Sequence, residues 1–136
     1  MIVGLDAEAF SALECPDSAR KQRVRRILRV AHGLGRDVLV PAVVLAELYR
    51  GRNRNQLVEA CLAREGASLA CRDTDRAFAR VVGGVLAGAG AGSEMIVAAH
   101  VVALAVEAGG GVVVTGDAPD LARLSAPYQH VTVEPV

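Results

Sequence analysis

Short apolar runs rich in β-branched residues recur along this chain, and helix-patterned segments separate them. IVGL spans residues 2–5, DVLV 37–40, GVVVT 111–115 and VTVEPV 131–136. The stretch VRRILRVA between the first two sets Val24, Ile27, Leu28 and Ala31 on one helical face. Strands joined by a helix run parallel, because the crossover returns the chain to the edge it left. Parallel sheets are covered on both faces, so their strands read as continuous apolar runs instead of alternating ones. The pattern predicts an α/β fold with a central parallel sheet and helices on both faces.

The intervening signals place the remaining elements. AEAFSALE (7–14) has helical spacing, and Cys15-Pro16-Asp17 interrupts it because a proline disfavours helix at the residue before it. The next helix starts at Ser18 and stops at Gly33 and Gly35. Pro41 suits the first turn of a helix, AVVLAELYRG, that runs to Gly51. A further helix is expected over 55–65, a third strand over ASLAC (67–71), and a helix over DRAFARVVGGVLAGAG, with Asp73, Thr74 and Asp75 as cap candidates. Residues 88–92 read as a loop, Ser93 as the cap of EMIVAAHVVALAVEAGG, and Pro119 as the start of a short helix. A chain of 136 residues without repeats or linkers is one domain, residues 1–136.

Several function classes drop out. The longest uncharged apolar stretch, around 95–106, is too short for a bilayer, and the N-terminus lacks the basic region of a secretory signal, so a cytoplasmic protein is expected. Cys15, Cys61 and Cys71 have neither CxxC nor zinc spacing; Cys61 and Cys71 read as small core fillers. His32, His100 and His130 form no ligand spacing. Net charge is zero, yet Arg20, Lys21, Arg23, Arg25, Arg26 and Arg29 fall together, and Arg50, Arg52 and Arg54 form a second cluster. Such runs are either solvated helix faces or local phosphate contacts.

Two strands end on an aspartate. IVGL delivers Asp6 into a turn, and GVVVTGDAPD delivers Asp117, with Asp120 three residues on. Sites in open α/β sheets form at the carboxyl ends of strands near the switch in strand order. Neighbouring carboxylates repel unless a cation compensates, and Mg²⁺ takes hard oxygen ligands while keeping waters for substrate phosphates. Each aspartate also has a local role open to it: Asp6 as the cap of the helix at 7–14, Asp117 in an Asx-turn, Asp120 at the positive end of the next helix. Spacing alone leaves both accounts open.

Four blocks in order, LDAEAFSAL, VLVPAVVLAELYRG, GSEMIVAAHVVALA and VVVTGDAPDLARLS, together resemble the signature blocks of the PIN domain over nearly the whole chain. AELYRG after a short strand, with TGDAPDL near the end, is similar to the toxins of bacterial VapBC toxin–antitoxin pairs. The resemblance implies a single PIN-like domain, residues 1–136, and an Mg²⁺- or Mn²⁺-dependent endoribonuclease in which metal-activated water cleaves RNA. By position it implies Asp6, Glu47, Glu94 and Asp117 as catalytic metal ligands, with Asp120 as an accessory acid. Glu94 departs from the pattern, since the family commonly has aspartate there; a glutamate either ligates through another rotamer or a water, or merely suits the helix N-terminus. Glu47 has a local alternative too, an ion pair with Arg50 across the helix surface.

Thr115 is expected to orient a ligand or a water, and Arg50 and the 20–29 cluster to contact the RNA backbone. Only Phe10, Tyr49, Phe78 and Tyr128 are aromatic, too few for a base-stacking platform. The resemblance further implies a homodimer and an inhibitory antitoxin partner. A phosphohydrolase of the haloacid-dehalogenase type wants DxDxT after the first strand, where this chain has DAEAF; a receiver domain wants a late lysine, and the only lysine is Lys21. The remaining alternative is a PIN-like binding module whose metal site has decayed.

Overall fold

The computed structural model describes all residues 1–136. Its elements are β1 (Ile2–Leu5), α1 (Ala7–Glu14), α2 (Ala19–Gly33), β2 (Asp37–Pro41), α3 (Ala42–Leu48), α4 (Arg52–Glu65), β3 (Ala70–Arg72), α5 (Arg76–Ala89), α6 (Ile96–Glu107), β4 (Gly111–Thr115), α7 (Ala118–Ser125) and β5 (Val131–Pro135); a single 3-10 turn, Ser93–Met95, leads into α6. The five strands pair in parallel in the order β3-β2-β1-β4-β5. After β1 the chain builds outward through β2 and β3, then returns to lay β4 and β5 on the other side. The switch in strand order therefore lies between β1 and β4.

All four residues of β1 are buried, as its central place demands. Its side chains alternate between two covering layers. Val3 faces α2, sharing a groove with Ile27, Val30 and Val112. Gly4 faces α6, and a Cβ there would lie 3.1 Å from Leu104 Cδ1, so glycine lets the helix approach the sheet closely. That helix is apolar all round, with seven consecutive buried residues from Ala99 to Ala105. It is sandwiched between the sheet and α5, against which Phe78, Val82 and Val85 are buried. No helix is long and apolar enough to cross a membrane.

Several boundaries differ from expectation. Pro41 closes β2 instead of opening α3: it keeps extended backbone (ψ 142°) and pairs with Arg72 of β3. The helix after it stops at Leu48, and Gly51, at φ 109°, turns the chain into α4 at Arg52, three residues earlier than the pattern suggested. The third strand begins at Ala70, because Ser68 folds back on the last turn of α4, its N–H and hydroxyl both donating to Glu65 O (2.9 and 3.2 Å). Helix α5 extends through Ala89, leaving only the end of the expected 88–92 loop, and Ser93 makes no side-chain cap. Cys71 is no core filler; β3 is an edge strand and leaves it exposed, whereas Cys61 is buried and burial pushes its thiol up to about 11.

Candidate metal and phosphodiester site at the carboxyl edge of the sheet

Strand β1 ends at Leu5 and hands its register on to Asp6, whose N–H donates to Val114 O (3.1 Å). Asp6 caps α1: its Oδ1 accepts from Ala9 N–H at 2.8 Å. Its Oδ2 accepts from the Thr115 hydroxyl at 2.5 Å and from Gly116 N–H at 3.1 Å. Thr115 is fully buried, and its hydroxyl accepts in turn from Asp117 N–H at 2.7 Å. One hydroxyl thus ties the carboxylate after β1 to the backbone of the aspartate after β4, across the switch point.

A carboxylate offers about four lone-pair positions. Three of those on Asp6 are filled by protein donors, leaving one on Oδ1. The side chain of Asp117 is exposed and makes no cap bond, although Asp117 stands at the N-cap of α7. Asp120 lies exposed in the first turn of that helix. Thr115, expected to orient a ligand or a water by its hydroxyl, has that hydroxyl engaged on Asp6 and Asp117 N–H with no exposed surface.

The remaining acids reach this edge by topology. Helix α3 leaves directly from the end of β2, and Glu47 is exposed in it between the buried Leu45 and Leu48. Helix α6 feeds β4 at the opposite edge, and its twelve residues span about 18 Å. Its N-terminus, preceded by Glu94, therefore returns to the carboxyl edge. Glu94 is exposed and its Oε1 accepts from Gly92 N–H at 3.2 Å. Arg50 does not pair with Glu47; its Nη1 donates to the carbonyls of Ala46 and Tyr49, both at 2.8 Å, at the C-terminal end of α3. None of Asp6, Glu47, Glu94, Asp117 and Asp120 has a basic partner.

These carboxylates share an edge without closing on one point: no group of three or more Asp, Glu, His or Cys side chains stands in metal-holding geometry. The donor chemistry, oxygen only, fits Mg²⁺ or Mn²⁺. Mg²⁺ commonly rests on one or two carboxylates plus waters and substrate phosphates, without an all-protein cage. Asp6, with one lone-pair position open, and the uncapped carboxylate of Asp117 are the side chains that would hold such an ion. Glu47, Glu94 and Asp120 are further exposed carboxylates at this edge.

One acid at this edge escaped the sequence analysis. Glu8 lies so close over Gly116 that its carboxylate fills the space a Cβ there would take, and it reaches Arg20 at 3.8 Å. Only its position in the first turn of α1, two residues after the cap, hinted at this.

No protein-family model matches the chain. No curated protein matches it either. Solved structures do. The chain is similar to a chain of VapBC2 from Rickettsia felis bound to a DNA fragment from their promoter, with a TM-score of 0.61 and 18% identity over 99% of this chain and 98% of that one. It is similar also to a chain of FitAB bound to an IR36 DNA fragment, with a TM-score of 0.62 and 19% identity over 98% and 94%. Likeness at such identity speaks to the fold alone, an α/β architecture with a five-stranded parallel sheet, as the sequence pattern led one to expect.

Proposed function

We propose that this chain is an Mg²⁺- or Mn²⁺-dependent endoribonuclease of the PIN type, the toxin of a VapBC-like toxin–antitoxin pair. The observation that carries the proposal is the bridge through Thr115, which sets the Asp6 carboxylate beside Asp117 at the switch point of the sheet. Asp6 and Asp117 hold the cation, Glu47 and Glu94 complete the acidic rim, and Asp120 is accessory. A divalent cation bound there supplies Lewis-acid stabilisation of phosphoryl charge and an acidified water.

The protein's own part is electrostatic and positional. Unpaired carboxylates at the edge repel an RNA phosphodiester, so substrate approach depends on the cation being in place. Thr115 and Gly116 fix the direction of the Asp6 carboxylate, which leaves little to reorganise when charge develops. Arg50, exposed beside Glu47, contacts the RNA backbone. The partners that accompany this activity are an antitoxin, a second copy of the chain in a homodimer, and RNA, in the cytoplasm. Support for the protein partner comes from the neighbouring structures, VapBC2 and FitAB, each bound to DNA.

A second reading is a PIN-like binding module without nuclease activity. Two observations favour it: the acids do not close into a three-ligand group, and Glu94 turns its carboxylate back onto Gly92. Cleavage of RNA by the purified chain in Mn²⁺ separates the two. The nuclease cleaves, and Asp6→Asn lowers its rate on the order of a hundredfold or more. Cleavage by Asp6→Asn at the wild-type rate refutes the assignment, and no cleavage by wild type selects the binding module.

A further inference from the structure

The basic run of α2 is not uniformly solvated. Arg23 pairs with Glu134 of β5 at 3.1 Å and Arg20 with Glu8 of α1. Helix α2 also faces α4 across a cleft of about 580 Å³. Lys21, Arg25, Arg29 and His32 line that cleft from α2, and Arg64 lines it from α4. The first three recur every four residues, so they form one stripe with charges about 6 Å apart along the helix. Across the walls, four fixed positive charges face only Asp17 and Glu65, a local excess of two in a molecule of zero net charge.

Part of this charge is structurally engaged. Arg25 Nη2 meets Glu65 at 3.0 Å, Arg64 Nη2 donates to Leu13 O, and Lys21 Nζ donates to Cys15 O. Arg29 has neither a carboxylate nor a hydrogen-bond partner, and Arg25 Nε is a buried donor with no partner at all. A buried orphan donor is costly unless something accepts from it.

One end of the cleft, at Asp17 and Lys21, lies by the first turn of α2. Arg20, beside Lys21, donates to Val136 O at 3.4 Å, and Val136 N–H donates to Thr115 O at 2.9 Å. The first turn of α2 therefore stands at the carboxyl edge, and the stripe leads from there toward the opposite edge. We infer that the α2–α4 cleft is a backbone track for single-stranded RNA, holding by its phosphates the strand that reaches the carboxyl edge. The inference rests on the nuclease reading above. Phosphates suit this cleft better than an acidic polypeptide does, because a protein segment needs apolar anchor pockets and the walls offer only Leu28 and Ala67. With no aromatic side chain in it, the track holds the sugar–phosphate chain without stacking bases.

The test is fluorescence anisotropy of a labelled oligouridylate in EDTA, where nothing is cleaved, with KCl varied between about 50 and 200 mM. Wild type is compared with Arg29→Gln and with Arg80→Gln, which removes an equal charge from the exposed face of α5. Arg29 has no partner to lose, so its variant keeps the fold, which thermal melts confirm. Arg29→Gln should bind several-fold more weakly and flatten the log–log salt dependence by about 0.7, while Arg80→Gln matches wild type. Equal effects of the two variants, or no RNA binding by wild type, overturn the track. So does binding of polyglutamate at Arg29 in place of RNA. Failure of the nuclease reading appears separately, as an intact EDTA titration with no cleavage in Mn²⁺.

Discussion

Thr115 does more at this site than its size suggests. Its hydroxyl is a donor to Asp6 and an acceptor from Asp117 N–H, in a position with no exposed surface. Valine has the same shape and can do neither. Thr115→Val should therefore lose about 1–3 kcal/mol of stability, since it removes a bond to a charged group and orphans a backbone donor. It should also reduce cleavage about 10- to 100-fold, as loss of an outer-shell partner to a metal ligand does. Thr115→Ser keeps the hydroxyl and should recover most of the activity; denaturant melts and cleavage rates on both variants check this. Asp6→Asn has a stability cost of its own. An amide keeps one accepting oxygen where the carboxylate accepts on both, so Ala9 N–H or Gly116 N–H loses its acceptor. The loss is about 1–3 kcal/mol, and its cleavage rate has to be read well below its melting temperature.

At the scale of elements, helix ends place the chemistry and also make the fold sensitive to acid. Asp6 and Asp75 use one device, a carboxylate that accepts from the N–H three residues on (2.8 Å to Ala9 and to Phe78). The Phe78 N–H, and after it Arg72, hold Asp75 below its ordinary 3.8. A depressed carboxyl contributes stability that is present above its unfolded value and is lost as pH falls through the folded one. Melts of wild type should thus fall more steeply below about pH 4 than those of Asp75→Asn, which still caps but does not titrate. Parallel slopes would show that the charge contributes nothing to α5. Arg72 links the same end outward, lying 4.6 Å over the Phe78 ring and bonding Glu107 at the end of α6. The cap and the core helix are thereby joined by one side chain.

For the whole molecule, the apolar runs were enough to read the α/β class, since a buried parallel strand has one appearance in sequence. Strand order was not readable, because nothing in IVGL or GVVVT says which neighbour each takes. Boundaries slipped at Ser68, which folds onto Glu65, and around Gly51, where α3 stops early at Leu48 and α4 starts early at Arg52. Of the site, Asp6 and Asp117 stood out as strand-end carboxylates, and the PIN resemblance added Glu47, Glu94 and Asp120. The Thr115 bridge and the approach of Glu8 to Gly116 join residues more than a hundred positions apart, beyond any spacing argument. The central proposal is that the carboxylates following β1 and β4, Asp6 and Asp117, hold a divalent cation together. Calorimetric titration of Mn²⁺ into wild type and into the Asp6→Asn/Asp117→Asn double variant tests it without any knowledge of the RNA. The account predicts binding by wild type that disappears in the double variant while both remain folded. No binding by wild type, or binding undiminished in the variant, would contradict it.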